Sequence, residues 1–569
     1  MDALNPNLRI AARLCLAGMV AWAQCASGQP AQVDGAQTSE WEATAFNNGR
    51  RMARDSNGYF HAVWHTSATL PAGPAGLNCD VFYSHTNTPA TEPPSMAQKG
   101  AWVTPVNMTQ NLGFGDNRYP SIAIEYDVYD GQYPGTNRLH VVWQALPSEG
   151  TRYDVYHANI PVSAPPVAPA AWTMPVVTNL SQTAATDSLV PAIAINRHNP
   201  DVTKQHLHVV WQEEDVDNGG ALPPPAEDLW FSDIAYVRSV DSGATWAPPQ
   251  GGWAGNPWDN LTTTPAVFSA NSQMPTISCT LDQHTGVPAQ AGQNDLGYNS
   301  DDVHVAFNTD TAGGMTIYYL RSPDDGATWL VPVNISAATS GGLNPQDAYP
   351  NIAADMLDQP HIIFMRNNIT QNEPLRTGPQ YQAGIAPLNA QAFPGPYVGM
   401  YGTQLNSIVY TYFNGAAWSI ELWTGPEDLE FPTVALDRWQ NVTANWQEFY
   451  GIPTNDYEIG RVYNNNATPP GFPVQPQLYG GWVLVNDSND VANNDLFPNL
   501  AHKKVAMYSF PNEGLLPPLA LPGYDEAWTK ILGKGPTMAV NPATPRQIMQ
   551  DGNMGVVAVP VTLSRFLVE

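Results

Sequence analysis

The chain has 569 residues and a formal net charge of −28, with 23 Lys and Arg against 51 Asp and Glu. It therefore lacks the basic footprint that neutralises phosphates, which argues against a nucleic-acid partner. Only 13% of residues are charged, while 53 Pro, 45 Gly and 10% aromatic residues describe many short strands joined by turns, not a helical protein.

The N-terminus carries Arg9 and Arg13, an apolar run from Leu14 to Val20, and then Ala21-Trp22-Ala23. That order reads as a secretory signal peptide over 1–23, and it predicts a secreted, periplasmic or cell-surface protein. The run is too short to span a bilayer, and no later run approaches the roughly 20 apolar residues a spanning helix needs. Trp22-Ala23-Gln24 before Cys25 is a poor lipidation motif. Cleavage leaves Cys25, Cys79 and Cys279, which allow at most one intramolecular disulfide and have no metal-site spacing.

A leader over 24–49 follows, and the region around Trp41 is expected to supply a ring-closing strand. From there a repeat governs the chain. Its head is P-x-(I/V/L)-A, at Pro120–Ala123, Pro191–Ala194, Pro350–Ala353, Pro432–Ala435 and Pro498–Ala501. Pro275-Thr276-Ile277-Ser278 is a variant, and Arg50-Arg51-Met52-Ala53 is a first copy without the proline. An apolar strand opened by histidine follows each early head, at His61, His140, His208, His304 and His361; Thr443–Trp446 is the sixth copy. Alternation puts His140, Val142 and Gln144 on one face and Val141 and Trp143 on the other. A third strand with aromatic alternation comes next (Val81, Asp154, Ile234, Ile317, Ile408 and Ile459 open the six copies), and a fourth is expected to open at Trp102, Trp172, Trp418 or Trp482.

Four strands recurring every roughly 65–85 residues are the pattern of a propeller blade, since one such sheet cannot bury both faces and radial stacking buries them for it. The predicted fold is all-β, a six- to seven-bladed β-propeller of four-stranded antiparallel blades. Six blades occupy 50–495, and 496–569 forms a C-terminal closure or a seventh blade. A head-like string at Pro536–Asn541 lies within that last stretch.

Two third strands run into the same turn, Ser239-Val240-Asp241-Ser242-Gly243-Ala244-Thr245-Trp246 and Ser322-Pro323-Asp324-Asp325-Gly326-Ala327-Thr328-Trp329. Asp and Gly suit the turn, Ser and Thr hydroxyls can bond its backbone, and Trp anchors the returning strand. A degenerate copy spans Thr411 to Trp418. These strings resemble the Asp-box, or bacterial neuraminidase repeat, of the sialidase-like β-propellers. The resemblance implies six blades and a structural role for Ser239, Asp241, Gly243, Thr245, Trp246, Ser322, Asp324, Gly326, Thr328 and Trp329.

It also implies, for an active member, arginines that hold a substrate carboxylate, a Tyr–Glu nucleophile pair and an Asp acid/base. The family's first arginine lies in an (F/Y)-R-I-P string. Here the corresponding stretch is Asn47-Asn48-Gly49-Arg50-Arg51-Met52, with Asn48 at the arginine's place and no Ile-Pro. The catalytic residues stay unassigned. Candidate ligand-binding residues are Arg50, Arg51, Arg366, Arg376 and Tyr381, with Trp230, Trp253, Tyr397 and Tyr401 as further stacking surfaces. Arg238 and Arg321, just before the two turns, are expected to pair within their blades.

Three long connections, around 213–228, 282–301 and 367–406, are expected to carry binding. The recurring histidines invite a metal ring, against which stands a repeated hydrogen-bonding role. The acidic groups Glu125/Asp127/Asp130, Glu213/Glu214/Asp215/Asp217 and Asp301/Asp302 could hold Ca²⁺, against which stands a solvated acidic loop. Asn-x-Ser/Thr strings at 107, 179, 260, 334, 368, 441, 466 and 486 fall mainly in turns. Three functions are open: a binding module for a glycan or extracellular protein partner, a glycosidase of exo-sialidase type, and a structural subunit of an extracellular assembly.

Overall fold

The computed structural model describes most of residues 44–367 and 406–463 between loop gaps, together with strand segments at 31–32, 483–486, 496–500, 537–541 and 547–551. Residues 1–23, where a signal peptide is expected, Trp41 and the connections 215–231, 281–300 and 368–405 lie outside the described residues. The described strands form seven four-stranded antiparallel sheets. In the first six the strands pair in chain order, and the first strands of consecutive sheets lie side by side along the chain.

The seventh sheet takes Leu496–Leu500, Thr537–Asn541 and Gln547–Asp551 from the C-terminus. Its fourth strand is Ala31–Gln32, paired with Met549 and Gln550. The fastening strand therefore lies upstream of the expected Trp41 region. The head-like string at 536–541 is a second strand, not another head.

The proline heads sit inside strands, not at their beginnings. The first strand of the second sheet runs Phe114–Ile124, and those of the third to sixth run Ser188–Asn196, Ser272–Cys279, Gln346–Ala354 and Leu429–Leu436. In each, pairing with the second strand slips across the head proline, at Arg118/Ser121, Leu189/Ala192, Gln273/Thr276, Ala348/Asn351 and Glu430/Thr433. Proline has no N–H to give the ladder, so a bulge forms there. The residue before it turns left-handed in every case: Tyr119, Val190, Met274, Tyr349 and Phe431 have φ of 50°, 44°, 53°, 54° and 49°. Non-glycine residues pay about 1–3 kcal/mol for that conformation, so the surroundings must hold it.

Burial follows strand alternation. Val141 and Trp143 join Val63, Tyr83 and Ile122 in a core between the first and second sheets. Val142, on the other face, joins Ile193, Val209, Trp211 and Trp258 between the second and third. Three more cores lie between the third and fourth, fourth and fifth, and fifth and sixth sheets. The second to fifth sheets thus bury both faces against their neighbours.

The fourth strands begin after the expected Trp102, Trp172 and Trp418, and in the sixth sheet at the residue that follows Trp482. They are short segments at Val106–Asn107, Val177–Asn179, Asp259–Asn260, Val333–Asn334, Glu421–Leu422 and Val483–Asn486. Trp102 and Trp418 make only isolated bridges upstream, while Trp172 and Trp482 fall outside the described residues. The recurring feature of the strand is its asparagine and the Ser or Thr two residues on. The Asn107, Asn179 and Asn260 amides donate to Asp80, Asp154 and Asp233 at 2.7, 2.9 and 2.8 Å. The Thr109, Ser181 and Thr262 hydroxyls donate to the same carboxylates and accept the N–H of Val81, Val155 and Ile234. In the fourth sheet Ser336 accepts from Ile317 N–H at 2.8 Å, and Asn334 donates to the Tyr318 hydroxyl. Four of the Asn-x-Ser/Thr strings are therefore latches between third and fourth strands.

Candidate functional site

The first candidates, Arg50 and Arg51, belong to a segment that touches five sheets. The Asn47 amide donates to Tyr349 O at 2.9 Å and Pro432 O at 2.6 Å, which joins the fifth and sixth sheets. The Asn48 amide donates to Val190 O at 2.7 Å and Pro275 O at 3.1 Å, joining the third and fourth. Arg51 donates to Pro120 O of the second sheet and to Phe46 O. Arg50 reaches Ile352 O at 3.2 Å and Val434 O at 3.4 Å. One short segment can meet carbonyls of five sheets only where those sheets converge on an axis.

That axis is filled. Phe46 packs on Tyr119 and Phe431 at 5.1 and 6.4 Å between ring centroids, and Tyr349 on Phe431 at 4.7 Å. Asn47, Asn48 and Arg51 are buried, and burial lowers the Arg51 guanidinium to about 9. Arg51 is thus a packing element, not a group presented to a ligand. Arg366 also serves the fold: it donates to both oxygens of Asp347 at 2.8 and 2.7 Å and to Thr339. Arg376, Tyr381, Trp230, Tyr397 and Tyr401 lie outside the described residues. Trp253 stacks on Trp258 at 6.0 Å.

The two S-x-D-x-G-x-T-W turns have one geometry. The Ser239 hydroxyl donates to Asp241 and accepts Gly243 N–H, while Thr245 N–H and hydroxyl both bond the Asp241 carboxylate. Ser322, Asp324, Gly326 and Thr328 repeat every bond. Each turn presses on the preceding sheet. Trp246 packs edge-on to His157, and Trp329 to Tyr236, at 4.8 and 5.1 Å. Trp418 does the same to Tyr319 at 5.2 Å, so the degenerate third copy keeps this contact.

The recurring histidines lie at the same end of the sheets, each in a row of its own. His61 bonds Asp55 and Tyr83, and His361 bonds Asp355 and Tyr410. His208 bonds Tyr236, with its Nε2 3.2 Å from an Asp325 oxygen, and His304 bonds Asp358 and Tyr319. In the second sheet His140 bonds Glu125, and His157 replaces the tyrosine. Burial holds His140 down to about 3 and His304 to about 4, so these rings are neutral. For neutral His304 the network assigns the roles: the Tyr319 O–H donates to Nδ1, and Nε2–H donates to the Asp358 carboxylate. The histidines are hydrogen-bond relays within and between sheets, and they do not converge.

Asp302, His304 and Asp358 do bring ligand atoms within 4.8 Å of one another. Arg321 donates to both carboxylates, however, and both His304 nitrogens are engaged. The guanidinium already stands where a metal ion would. Arg321 thus pairs across sheets, since Asp358 belongs to the fifth, and Arg238 likewise reaches Asp325 of the next sheet at 3.1 Å. The expected pairing within one blade is present as Arg321 with Asp302, and both arginines add a pairing between sheets.

At the opposite end, the second strands of the third and fifth sheets lead into two of the long connections, and the acidic group Glu213/Glu214 stands at the base of 215–231. Glu213 is buried and accepts from Thr186, Ser188 and the Trp211 indole. Glu214, 4% exposed, accepts from Gln212 at 3.2 Å. Asp187 accepts from Arg152 at 2.7 Å and from Tyr153 N–H. Burial raises Glu213 to about 7; burial, with the Asp187 charge, raises Glu214 to about 8. Carboxyl groups that keep a proton near neutrality can act as general acids or bases. Asp215 and Asp217 fall outside the described residues.

Together these features define an all-β chain of consecutive four-stranded antiparallel sheets, converging on a filled axis and carrying acidic groups at its loop end. No family model matches the chain, and no curated protein matches it. Among solved structures it is similar to a protein of unknown function from Dyadobacter fermentans, at 10% identity and a TM-score of 0.38, over 76% of this chain and 97% of that one. The polysaccharide lyase Uly1 aligns at 10% identity and a TM-score of 0.39, over 92% and 94%. A mutant of the NanB sialidase from Streptococcus pneumoniae aligns at 12% and 0.30, over 74% and 68%. At these TM-scores the likeness carries no argument. Among the described residues no helix is long and apolar enough to cross a membrane.

Proposed function

We propose that the chain is a secreted seven-bladed β-propeller of sialidase-like type that works as a binding module for glycan or cell-surface partners. The observation that carries this reading is the filled axis. A carboxylate-binding arginine site of the family's kind needs guanidinium groups facing an open axial mouth. Here Asn48 takes the place of the first arginine, and Asn48 and Arg51 spend their donors on backbone carbonyls. Recognition then falls to the loop end around Arg152, Asp187 and Glu214.

The test is a glycan array run with the secreted chain, beside a hydrolysis and elimination screen on sialosides and uronic-acid glycans. Binding without turnover is expected. An array with no ligand overturns glycan binding, and turnover of a sialoside overturns the non-catalytic reading.

A second reading, a glycan-active enzyme using carboxyl chemistry, is favoured by the raised Glu213 and Glu214. It predicts turnover in the same screen that is lost in Glu213→Gln or Glu214→Gln. Turnover that survives both substitutions refutes it.

A further inference from the structure

Each of five sheets interrupts its first strand with a left-handed residue before proline, and each of those bulges lends one carbonyl to the same short segment. The pairs are Pro120 O with Arg51, Val190 O and Pro275 O with Asn48, and Tyr349 O and Pro432 O with Asn47. Three side chains thus satisfy five acceptors that the bulges have turned out of their ladders.

The match is chemical as well as numerical. The ring of carbonyls offers only acceptors, and the segment answers with carboxamide and guanidinium donors. Its backbone is held too: Asn351 donates to Asn47 O at 2.5 Å and accepts Val434 N–H at 2.9 Å. Ile122 N–H and Val63 N–H donate to Arg50 O and Arg51 O. The sequence separations are extreme, 302 and 385 residues for the Asn47 amide and 142 and 227 for the Asn48 amide. Among the described residues, the other hydrogen bonds between sheets join neighbours. Gln144, for instance, accepts the Val190 N–H of the next sheet, and Gln212 that of Met274.

We infer that Asn47–Arg51 is an axial strap: the carbonyl ring is an internal binding site whose ligand is this segment, and its occupancy makes the second to sixth sheets open as one unit. Without the strap, neighbouring cores would still join sheets pairwise, but five bulges would face one another with buried, unpaired carbonyls. Such groups are costly, and the strained residues beside them would lose the contacts that hold them. The inference holds whether or not the loop end binds glycan.

The test is hydrogen exchange on the full chain with Asn48→Ala and, as a milder variant, Asn47→Ser. Gln144→Ala serves as a comparison that removes a buried bond at one of the same bulges. The strap predicts that exchange in the first strands of the second to sixth sheets quickens together, by about tenfold or more, in either strap variant. Gln144→Ala should affect only the second and third sheets. Exchange that quickens only in the third and fourth sheets for Asn48→Ala overturns the inference, and so does unchanged exchange. Should Asn48→Ala and Asn47→Ser fail to fold while Gln144→Ala folds, the lock is supported; failure of all three overturns the distinction drawn here.

Chemical rescue gives a second readout. Arg51→Ala should lower the thermal midpoint, and millimolar methylguanidinium should raise it again while leaving or lowering that of the unsubstituted chain. Rescue absent in Arg51→Ala overturns the assignment of the ring as a donor-binding site.

Discussion

Gly326→Ala separates two effects that usually arrive together. Gly326 has φ of +79°, so any side chain there adopts a left-handed conformation that glycine takes freely, at about 1 kcal/mol. A Cβ would also overlap the Tyr236 hydroxyl, with Cζ only 2.7 Å away. Tyr236 has little room to yield. It is fully buried, its hydroxyl bonds His208 Nδ1 at 2.7 Å, and Trp329 packs edge-on against its ring. Displacing it breaks a buried hydrogen bond, about 1–3 kcal/mol, and overpacks a core, about 1–3 kcal/mol more. The expected loss is about 3–7 kcal/mol.

Gly415, with φ of +87° and nothing within 4 Å of a Cβ, supplies the control, and Gly415→Ala should cost only about 1 kcal/mol. Gly243→Ala belongs between them, since its Cβ would meet His157 Cε1 at 2.8 Å and Leu207 Cδ1 at 3.2 Å. Urea midpoints of the three variants, followed by tryptophan fluorescence, should fall in the order Gly415, Gly243, Gly326. Equal losses at Gly326 and Gly415 would refute the claim that these turns bind one sheet to the next.

Asp154→Ala removes the acceptor of the Asn179 amide, the Ser181 hydroxyl and the Thr183 N–H and hydroxyl, so a loss of about 2–4 kcal/mol is expected in the same urea assay. A loss under about 0.5 kcal/mol would show that the latch contributes nothing. Stability should also fall as pH rises from about 5 to 8: Asp302 and Glu214 are raised to about 8 and Glu125 and Glu213 to about 7, so the folded chain holds protons the unfolded chain has released. Asp325, Asp241 and Asp324 are lowered, which puts a second fall at acid pH. Asp302→Asn with Glu214→Gln should flatten the neutral-side slope of the midpoint, and a slope unchanged by both substitutions contradicts the assignment.

Much of the architecture was legible as period. Heads at Pro120, Pro191, Pro275, Pro350, Pro432 and Pro498 each mark a sheet, and the alternation of Val141, Val142 and Trp143 correctly sorts them into two cores. The fourth strand was misplaced because Trp is the conspicuous residue, whereas the strand is only two to four residues long and is held by side-chain bonds from asparagine and Ser or Thr. Those same residues recur as Asn-x-Ser/Thr strings because that spacing lets one strand end reach a single carboxylate.

The candidate site was less legible, for a different reason. Arg50 and Arg51 were noticed as cations near the family's arginine position, and nothing local reveals that they reach carbonyls 69 to 384 residues away in other sheets. Burial likewise decides that Glu213 and Glu214 keep protons near neutrality. Sequence alone determined the strand order, the turn chemistry of Ser239–Trp246 and Ser322–Trp329, and the proline that must break each first strand, because these follow from backbone geometry within a few residues. Only the tertiary structure decided what the breaks are for. Five carbonyls turned out of five ladders acquire a meaning when the sheets bring them around Asn47, Asn48 and Arg51, and that convergence is a property of the assembled sheets, not of any one repeat.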